Sequence, residues 1–400
     1  MTHFSDQAPG NLVPTTANER FTLGGFPSVR QARGQAFVPH PLPPAGDPAP
    51  VVGSVADVLS SASLALGRLQ GLAAEVSIAR VLAAPLMRRE ASVSSRIEDT
   101  IATPEEVALF ETGHQAQKSD TIEVANYRRA LWHGINSDLP ICVRLVNEMH
   151  AILLGGVRGD DKSPGRVREL QNWIGGDPSN LASARFVPPP PGEPLQRCLK
   201  ELEDNWNYGL KGWPTLVVIA LCHYQFEAIH PYADGNGRLG RLLVVLSLVR
   251  SGLLTEPLVY ISGYFDLHRR EYYDRLLDVS VNGAWPEWIR FFLTAVADQA
   301  TDAAGRLTRI KAERQRVHHE LARDKAPAAM LPLVDHLIER LAVDASGTKE
   351  LLGVTDPTAR NYLRRLEDIG FLTPVRPGNY GQVWVARSIL SIIDDAIAAQ

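Results

Sequence analysis

The sequence predicts a mainly α-helical protein followed by a small α+β domain of the winged helix-turn-helix type. Three observations indicate this. Apolar residues recur at three- and four-residue steps from Val55 to about residue 302, which is the helical period. One Gly- and Pro-rich interruption, 155–191, is typical of a loop or hairpin and marks a β-like insertion. Finally, the order helix, helix, helix, hairpin in 328–400 is typical of a winged helix.

These patterns divide the chain. Residues 1–52 are rich in Pro, Gly and Ala with little periodicity, and we expect 1–34 to be a disordered tail. The helical pattern runs from Val55 to about residue 302. In 303–327 basic residues outnumber acidic ones, which predicts a solvated, charged linker helix before the domain at 328–400.

Composition excludes several classes of protein. Forty-one Lys and Arg residues against 45 Asp and Glu give a net charge of −4, so the chain is not a bulk polycation that coats nucleic acid or anionic membrane. No basic n-region with an apolar core begins the chain, and no apolar run approaches the ~20 residues of a membrane helix. Three widely spaced cysteines favour reduced thiols rather than a disulfide framework, so we expect a cytoplasmic protein without a membrane partner.

The most informative segment is H-P-Y-A-D-G-N-G-R-L-G-R, from His230 to Arg241, between two apolar helical runs. Pro231 disfavours helix at the preceding residue, so the histidine should emerge where the first helix ends. Asp-Gly-Asn-Gly should then form a tight loop whose backbone N–H groups converge, and the next helix adds its own unpaired N–H groups. Arg238 and Arg241, three residues apart, share a face of that helix.

These residue types suit a polyphosphate. Backbone donors would hold one phosphate and the two arginines would bind the others. Asp234 could bind a Mg²⁺ that bridges phosphates, and His230 could remove a proton from an attacking hydroxyl. The alternative is a plain Gly-rich turn with solvated arginines. A specific residue type at eight of the twelve positions favours the functional interpretation.

The segment resembles the signature of the Fic family, H-x-F-x-[D/E]-G-N-G-R-x-x-R, and departs from it only at Tyr232. Members share a compact helical fold, and most transfer AMP from ATP to a Ser, Thr or Tyr hydroxyl of a protein. The resemblance covers roughly 35–300. It implies an N-terminal Fic-associated region at 35–115, a Fic catalytic domain at 116–302, ATP as substrate and Mg²⁺ as cofactor. The implied partner is a target protein with a hydroxyl side chain; self-modification and a homodimer are further options.

The resemblance also implies roles for individual residues. His230 would be the general base, Asp234 the Mg²⁺ ligand, and Arg241 the ligand of the γ-phosphate. The α-phosphate would then face His230. The other motif residues implied to bind nucleotide are Gly235, Asn236, Gly237, Arg238, Leu239 and Gly240.

Two segments outside the motif carry further resemblance. The stretch 165–176 is similar to the family's flap, a hairpin that covers the site and pairs with the target's main chain. Tyr273 resembles a residue beside the adenine pocket, although tyrosines at helical spacing are more often part of a core. The flap residues implied to contact nucleotide are Asn172, Trp173, Ile174 and Gly175.

A third segment, S-S-R-I-E-D from Ser94 to Asp99, resembles the inhibitory motif [S/T]-x-x-x-E-[G/N] of self-inhibited Fic proteins. In that family the glutamate reaches the second arginine and takes the place of the γ-phosphate. Ser94 and Glu98 are i and i+4, so they share a helix face. The resemblance implies that Glu98 inhibits the enzyme and that Ser94 supports it.

Three functional hypotheses remain open. The favoured one is a self-inhibited protein adenylyltransferase. The second is a DNA-binding regulator that senses nucleotide; seven Lys and Arg against nine Asp and Glu in 331–400 are a poor footprint for DNA, so a protein-docking or dimer-organising module is at least as well supported. In the third, Glu98 positions a water so that the same site removes AMP from modified proteins.

Overall fold

Most of the chain is helical, with one small antiparallel sheet near each end. The computed structural model describes residues 3–23, 26–74, 79–113, 119–157, 159–375 and 382–394. The expectation of a mainly α-helical protein is therefore confirmed.

The N-terminal segment differs from the expected disordered tail. Strands β1 (Gly10–Leu23) and β2 (Phe26–Pro39) pair antiparallel. The hydroxyl of Thr15 donates to Oε1 of Gln171 at 2.7 Å, and the backbone N–H of Leu181 donates to the buried Glu19 carboxylate at 2.7 Å. These partners lie far downstream and satisfy polar groups of the strands, which the composition of 1–34 alone cannot indicate.

The helical region follows the predicted periodicity. Residues expected to be helical between 55 and 302 lie in helices wherever the structure describes them, apart from a few at helix ends. The two short helices α1 and α10 are additional. The bounds are α1 Pro48–Ser54, α2 Ala56–Ala74, α3 Ala79–Ile97, α4 Pro104–Glu111, α5 Ser119–Asn136, α6 Val143–Leu154, α7 Glu193–Tyr208, α8 Thr215–Ile229, α9 Asn236–Arg250, α10 Ser262–Leu267, α11 Arg269–Asn282 and α12 Trp285–Arg323.

Helices α8 and α9 form the centre of the helical body. Every residue of α8 after Thr215 is buried, as expected of a helix that is apolar on all sides. The indole N–H of Trp288 in α12 donates to the carbonyl of Ala220 at 2.9 Å, inside the same core. The His230–Arg241 motif occupies the loop between α8 and α9 and the start of α9, so the packing of these two helices fixes where the motif lies.

The interruption at 155–191 is irregular in the structure. Among its described residues (155–157 and 159–191) there is one antiparallel β-bridge, Ile174 to Phe186, so the predicted hairpin is reduced there to a single pair of residues.

The predicted linker helix is also different. Helix α12 continues without a break from Trp285 to Arg323, and residues such as Leu307, Ile310 and Val317 are buried. Arg306 is buried too, and its guanidinium pairs with Asp302 and donates to a backbone carbonyl. The segment is therefore not a solvated linker: its apolar residues recur at helical spacing and pack, and even Arg306 is buried with partners.

The C-terminal unit contains the elements predicted for 328–400, in the predicted order, with one extra strand and one extra helix. Its strands form a sheet in the order β3-β5-β4. The loop predicted at 376–381 lies outside the described residues. The bounds are α13 Met330–Arg340, β3 Ala342–Asp344, α14 Ala345–Leu352, α15 Asp356–Asp368, β4 Thr373–Pro374, β5 Val383–Val385 and α16 Arg387–Asp394.

This C-terminal unit packs against α3 and α4. The buried Arg88 of α3 donates to the carbonyl of Glu339 and pairs with Glu111 at 2.7 Å. Arg387 of α16 pairs with Glu105 of α4 at 2.6 Å. The helix that carries Ser94 is thus held on one side by the C-terminal unit.

Two expectations concern thiols and membranes. The three cysteines are free; Cys198 and Cys222 are buried and Cys142 is half-buried. Among the helices of the described ranges, none is by itself long and apolar enough to cross a bilayer. Helices α1 and α2, which meet at a bend of 69°, reach that length and composition only when taken together.

Candidate active site

His230 ends helix α8 in an unusual backbone conformation. Its φ of 47° and ψ of 60° lie in the left-handed region, and its N–H still bonds to the carbonyl of Phe226 at 3.0 Å. Nδ1 of its half-buried ring lies 3.3 Å from the carbonyl of Glu227. Burial, followed by the nearby guanidinium of Arg168, lowers the pKa of His230 to about 4. The imidazole is therefore neutral at physiological pH.

The loop after His230 is held by its own side chains. Asn236 accepts a hydrogen bond from the N–H of Tyr232 at 2.9 Å and donates to its carbonyl at 2.8 Å. Asp234 accepts from the N–H of Gly235 at 2.6 Å. Gly235 has a φ of 78°, a left-handed turn that glycine adopts without strain, and α9 begins directly after it. The loop therefore places the N-terminus of a helix beside the carboxylate, as the sequence predicted.

Tyr232, the one departure from the signature, is 1% exposed and fills the core beneath the loop. Its ring stacks on His150 with centroids 3.9 Å apart, and its hydroxyl donates to Asn147 at 2.7 Å. The exchange of one aromatic residue for another thus keeps the packing and gives the hydroxyl a partner.

The first arginine of the motif is paired inside the protein. Arg238 is 1% exposed, and its guanidinium forms an ion pair with the equally buried Glu123 of α5. A second contact, 3.4 Å long, joins Nη2 to Asp234. Burial lowers the pKa of Arg238 to about 10, so the group stays charged. Glu123 in turn accepts a hydrogen bond from the hydroxyl of Thr100 at 2.9 Å.

The second arginine is held by the end of α3. Nε of Arg241 donates to the hydroxyl oxygen of Ser94 at 2.9 Å and Nη2 donates to its carbonyl at 2.8 Å. Nη2 also lies 3.0 Å from Oε1 of Glu98. Although burial disfavours the charge, Glu98 and nearby tyrosines raise the pKa of Arg241 above its ordinary value. The structure thus brings Ser94, Glu98 and Arg241 together.

Glu98 also lies against Gly237 in the segment 235–237, which the sequence predicts to bind phosphate (the phosphate loop). A Cβ atom added to Gly237 would come within 2.4 Å of Oε1 of Glu98, so a larger residue there would force the carboxylate to shift. The left-handed φ of 62° at Asp99 ends the helix and turns the chain. Asp tolerates this conformation better than most residues, which is consistent with Asp99 at this helix end.

Two orphan donors lie in the same region. Nη1 of Arg241 and Nε of Arg238 are buried without a hydrogen-bond partner among the described residues. Buried polar groups are nearly always paired, and an exception requires an explanation such as an absent ligand. Both atoms belong to the guanidinium groups that the sequence assigned to phosphate.

The flap residues fall into two groups. Asn172 donates to the carbonyl of Tyr232 at 3.0 Å and thus touches the loop, while its own Oδ1 has no donor in the described structure. Ile174 pairs with Phe186 through its backbone, and the half-exposed Trp173 bonds to the carbonyl of Asp177. Gly175 is exposed with a φ of 69° and allows the tight turn after the bridge.

Three other predicted residues differ in their placement. The side chain of Leu239 is buried in the core, and its N–H is bonded to the carbonyl of Gly235. Neither the side chain nor the N–H is therefore available to a phosphate. Gly240 faces Glu227: a Cβ added there would lie 2.2 Å from Oε1 of that carboxyl. Tyr273 is half-buried, and burial raises its pKa. The nearby Glu98 raises this pKa further, while Arg241 and Arg269 lower it.

Glu227 is a buried carboxyl group that sequence reasoning missed. Its Oε1 has no hydrogen-bond partner among the described residues, and desolvation raises its pKa to about 8 despite the nearby Arg241. It is therefore largely a neutral acid at pH 7. In the sequence it is one polar residue in an apolar helix, which gives no sign of its protonation.

Three more residues that organise the site were missed. Glu123 neutralises Arg238, and Arg168 donates to the carbonyl of His230 at 3.0 Å. His150 accepts a hydrogen bond from the N–H of Gly165 at 2.8 Å, and its Nε2 lies 2.9 Å from the carbonyl of Asp234. Each contact joins residues more than a dozen positions apart, so no local pattern in a single sequence reveals it.

A Mg²⁺ ion that arrives with ATP fits this donor set. The carboxylate of Asp234 is one-third exposed at the rim of the loop. In the described parts of the chain, no group of three or more His, Cys, Asp or Glu side chains could hold a metal. Because Mg²⁺ is usually bound by one or two carboxylates together with substrate phosphates, a single carboxylate is sufficient.

Two parts of the sequence match models of known protein families. Residues 56–136 match the model described as Fic/DOC family N-terminal, and residues 140–248 match the model described as Fic/DOC family. "Protein adenylyltransferase Fic" of Aedes aegypti is 28% identical over 222 residues, which are 55% of this chain and 40% of that protein. "Protein adenylyltransferase fic-1" of Caenorhabditis elegans is 36% identical over 110 residues, 26% of this chain and 18% of that protein. The chain thus spans less than half the length of these relatives.

Solved structures share the fold. A Fic family protein from Desulfovibrio desulfuricans has a TM-score of 0.51 at 20% identity, covering 83% of this chain and 95% of that one. Fic-1 from Caenorhabditis elegans has a TM-score of 0.50 at 21% identity, covering 67% of this chain and 76% of that one. At these identities the likeness concerns the fold alone.

Proposed function

We propose that this chain, which carries a Fic N-terminal domain and a Fic domain, transfers AMP from ATP to a hydroxyl group of a protein. The observation that carries the proposal is the position of His230. A neutral imidazole at the end of α8 borders a loop whose next residues form a helix N-terminus and two buried arginines. An anion cradle beside a base is what phosphoryl and nucleotidyl transfer require.

His230 is proposed as the general base. With a pKa of about 4 its imidazole is free to accept a proton at neutral pH. As the target hydroxyl oxygen attacks the α-phosphorus, its proton passes to the imidazole, a P–O bond forms, and the bond to the pyrophosphate oxygen breaks. The product is a phosphodiester between AMP and the target side chain.

The loop and the arginines are proposed to hold the triphosphate. The N–H groups at the start of α9 and the orphan donors of Arg238 and Arg241 supply positive potential for phosphate oxygens. Asp234 is the residue that would hold Mg²⁺, which when bound neutralises phosphate charge. The flap residues would place the target segment and the nucleotide over His230.

Self-inhibition by Glu98 is part of the proposal. Its carboxylate lies 3.0 Å from Nη2 of Arg241 and touches Gly237 in the phosphate loop. A carboxylate and a γ-phosphate oxygen cannot both use this guanidinium group and this space. ATP would therefore bind productively only after Glu98 moves.

A second candidate reaction is removal of AMP from a modified protein. The side chain of Glu98 is 31% exposed, so a water molecule can reach its carboxylate beside the phosphate loop. Such a water, oriented by Glu98, could attack the phosphodiester. This reaction would use the same site with Glu98 as a participant rather than an inhibitor.

For the C-terminal unit we propose a winged helix that acts through protein contacts. It lies against α3, the helix that ends at the inhibitory residues, and its sequence is slightly acidic. A DNA-binding regulator would instead show a salt-dependent affinity for DNA.

The test is incorporation of label from α-labelled ATP into proteins of a cell lysate, followed by mass spectrometry of the modified side chain. Glu98→Gly is the variant of choice because it removes the proposed inhibitor. Labelled AMP on Ser, Thr or Tyr supports the proposal. Absence of labelling together with loss of AMP from pre-modified protein by the wild type would favour the second candidate.

A further inference from the structure

Arg168 is a charged residue in an unusual setting. It lies in the flap segment and is 6% exposed, yet among the described residues no carboxylate lies within ion-pair distance of it. Burial lowers its pKa to about 10, which leaves it charged at neutral pH. A buried arginine is normally paired with a carboxylate, so the burial of the Arg168 charge must be explained by other contacts.

The guanidinium group of Arg168 donates to three backbone carbonyls. Nε donates to His230 at 3.0 Å, Nη2 to Pro189 at 2.5 Å and Nη1 to Leu170 at 3.3 Å. The backbone N–H of Arg168 also donates to the carbonyl of Pro231 at 2.9 Å. Arg168 therefore connects Leu170 in the flap and Pro189 after it to His230 and Pro231, the first two residues of the motif.

The carbonyl of His230 is where such a contact matters. With φ at 47°, His230 occupies a left-handed conformation that is unfavourable for a residue with a Cβ atom. Such a conformation persists when the surroundings hold it. The left-handed turn rotates the carbonyl of His230 away from α8, and Nε of Arg168 is the donor that meets it.

We propose that Arg168 is a positioning residue for His230: by holding the His230 carbonyl, it fixes the left-handed turn that aims the imidazole at the phosphate loop, and it fixes the flap to that turn. The inference rests on the proposed function in so far as His230 is the base. It adds a residue to which no role in the reaction was assigned from the sequence.

The charge of Arg168 also gives this contact a measurable effect on the imidazole. The charged groups that act on the His230 imidazole are Arg168 from the flap, which disfavours the protonated ring, and Glu98 from the end of α3, which favours it. With burial, the guanidinium group keeps the base unprotonated. Its planar group also bonds in three directions at once, which a lysine ammonium on a flexible chain does less well.

This difference separates charge from geometry. Arg168→Lys keeps the positive charge and loses the planar set of donors. Arg168→Gln loses the charge and most donors. Arg197→Gln is the control, because Arg197 is an exposed arginine on α7, outside the flap.

The experiment uses the full chain in the Glu98→Gly background. NMR titration gives the pKa of the His230 ring, assigned by comparison with His230→Ala, and the Cα and Cβ shifts of His230 report its backbone conformation. Steady-state labelling from α-labelled ATP gives kcat and KM. Arg168→Gln should raise the His230 pKa toward its usual 6.5 and lower kcat ~10²-fold with a KM for ATP within about threefold. Arg168→Lys should keep the low pKa, shift the His230 backbone signals and lose most of the kcat. Arg197→Gln should match its parent.

A His230 pKa, backbone shifts and kcat that stay at parental values in both Arg168 variants would overturn the proposal. So would a loss of kcat accompanied by an equal rise in KM with unchanged His230 signals, because this would be general damage to the flap. If Arg168→Gln does not fold, Arg168→Lys decides alone by its backbone shifts and kcat. If the Glu98→Gly parent transfers no AMP, the proposed function fails, while the pKa and backbone shifts of His230 still decide the role of Arg168.

Discussion

Oε1 of Glu98 lies 3.0 Å from Nη2 of Arg241, and the same oxygen would lie 2.4 Å from a Cβ atom on Gly237. One carboxylate therefore contacts both the second arginine of the motif and the glycine that precedes the first arginine. The two contacts cover the positions where a γ-phosphate would need a guanidinium group and open space. This arrangement makes the state of Glu98 central to the behaviour of the site.

Removing the carboxylate should activate AMP transfer. We expect Glu98→Gly to increase labelling of protein from α-labelled ATP by about 10- to 100-fold, the equivalent of one hydrogen bond between charged groups. Glu98→Gln should increase labelling less than Gly, because it removes the charge and leaves the volume. Labelling of a target protein, and self-labelling, measures both.

Arg241 provides the control for this prediction. The double variant Glu98→Gly with Arg241→Ala should lose the gain, since in the proposed mechanism the freed guanidinium group binds the γ-phosphate. If Glu98→Gly labels no more than the wild type on its target, self-inhibition by this residue is wrong. If it gains transfer and loses removal of AMP from a pre-modified protein, Glu98 also serves the reverse reaction.

His230 should be required for chemistry rather than for binding. In the Glu98→Gly background, His230→Ala should reduce AMP transfer by ~10²–10⁴-fold, the usual contribution of a general base. Nδ1 of the ring lies beside the carbonyl of Glu227 in α8 rather than beside the proposed phosphate ligands, so the affinity for ATP, measured by calorimetry, should change little. Undiminished labelling would remove His230 from the mechanism.

Asp234 should couple nucleotide binding to Mg²⁺. It is the carboxylate within the loop and is one-third exposed. In the Glu98→Gly background, Asp234→Ala should lose the Mg²⁺-dependent part of ATP affinity together with turnover. Asp234→Asn is the matched control for the bond to the N–H of Gly235: it keeps an acceptor and loses the charge. A normal Mg²⁺ dependence in both variants would refute the metal assignment.

The contact between Gly237 and Glu98 can be tested without any activity. Gly237→Ala should lower the free energy of unfolding by about 1–3 kcal/mol, because the new Cβ overlaps the carboxylate. In the Glu98→Gly background most of this cost should disappear, because the remaining close contact of the new Cβ is with Nη1 of Arg241, at 3.0 Å. Gly305→Ala, in open space on α12, should be neutral or mildly stabilising in both backgrounds. Chemical denaturation of the four combinations measures the coupling, and equal costs in both backgrounds would show that the contact is absent.

Glu227 should make stability depend on pH. Its folded pKa of about 8 lies above the ordinary value of 4.5, so folding favours the protonated form. This contribution is complete below pH 4.5, declines as pH rises from 4.5 to 8, and is lost above 8. Relative to Glu227→Gln, the wild type should lose on the order of 3 kcal/mol of stability between pH 5 and pH 7.5. An exposed glutamate variant, Glu193→Gln, should follow the wild-type slope; parallel slopes for wild type and Glu227→Gln would show that Glu227 is ionised.

Several features of the site follow directly from sequence because they are local. Pro231 disfavours helix at His230, the glycines allow the turn, and Asn236 starts a helix immediately after it. The structure shows the helix end, the turn and the next helix where these residues predict them. Each depends on residues within about one helical turn.

Other expectations failed because they depended on distant partners. The N-terminal segment, poor in periodic pattern, is ordered as a hairpin through contacts with Gln171 and Leu181. The charged stretch after residue 302 is part of α12, because the residues of its apolar face are buried. Composition describes a segment in water, whereas packing is decided by what the rest of the chain presents to it.

The sequence by itself determined the chemistry available to this protein: a histidine at a helix end, a carboxylate, an anion-binding loop and two arginines, all within twelve residues. Only the tertiary structure decided which partners these groups have. Arg238 forms an ion pair with Glu123, and Arg241 contacts Glu98 and Ser94. The carbonyl of His230 accepts a hydrogen bond from Arg168. The physical reason is that the energy of a buried charge depends on the few groups within hydrogen-bond distance, and folding brings those groups from positions 62 to 147 residues away in the chain.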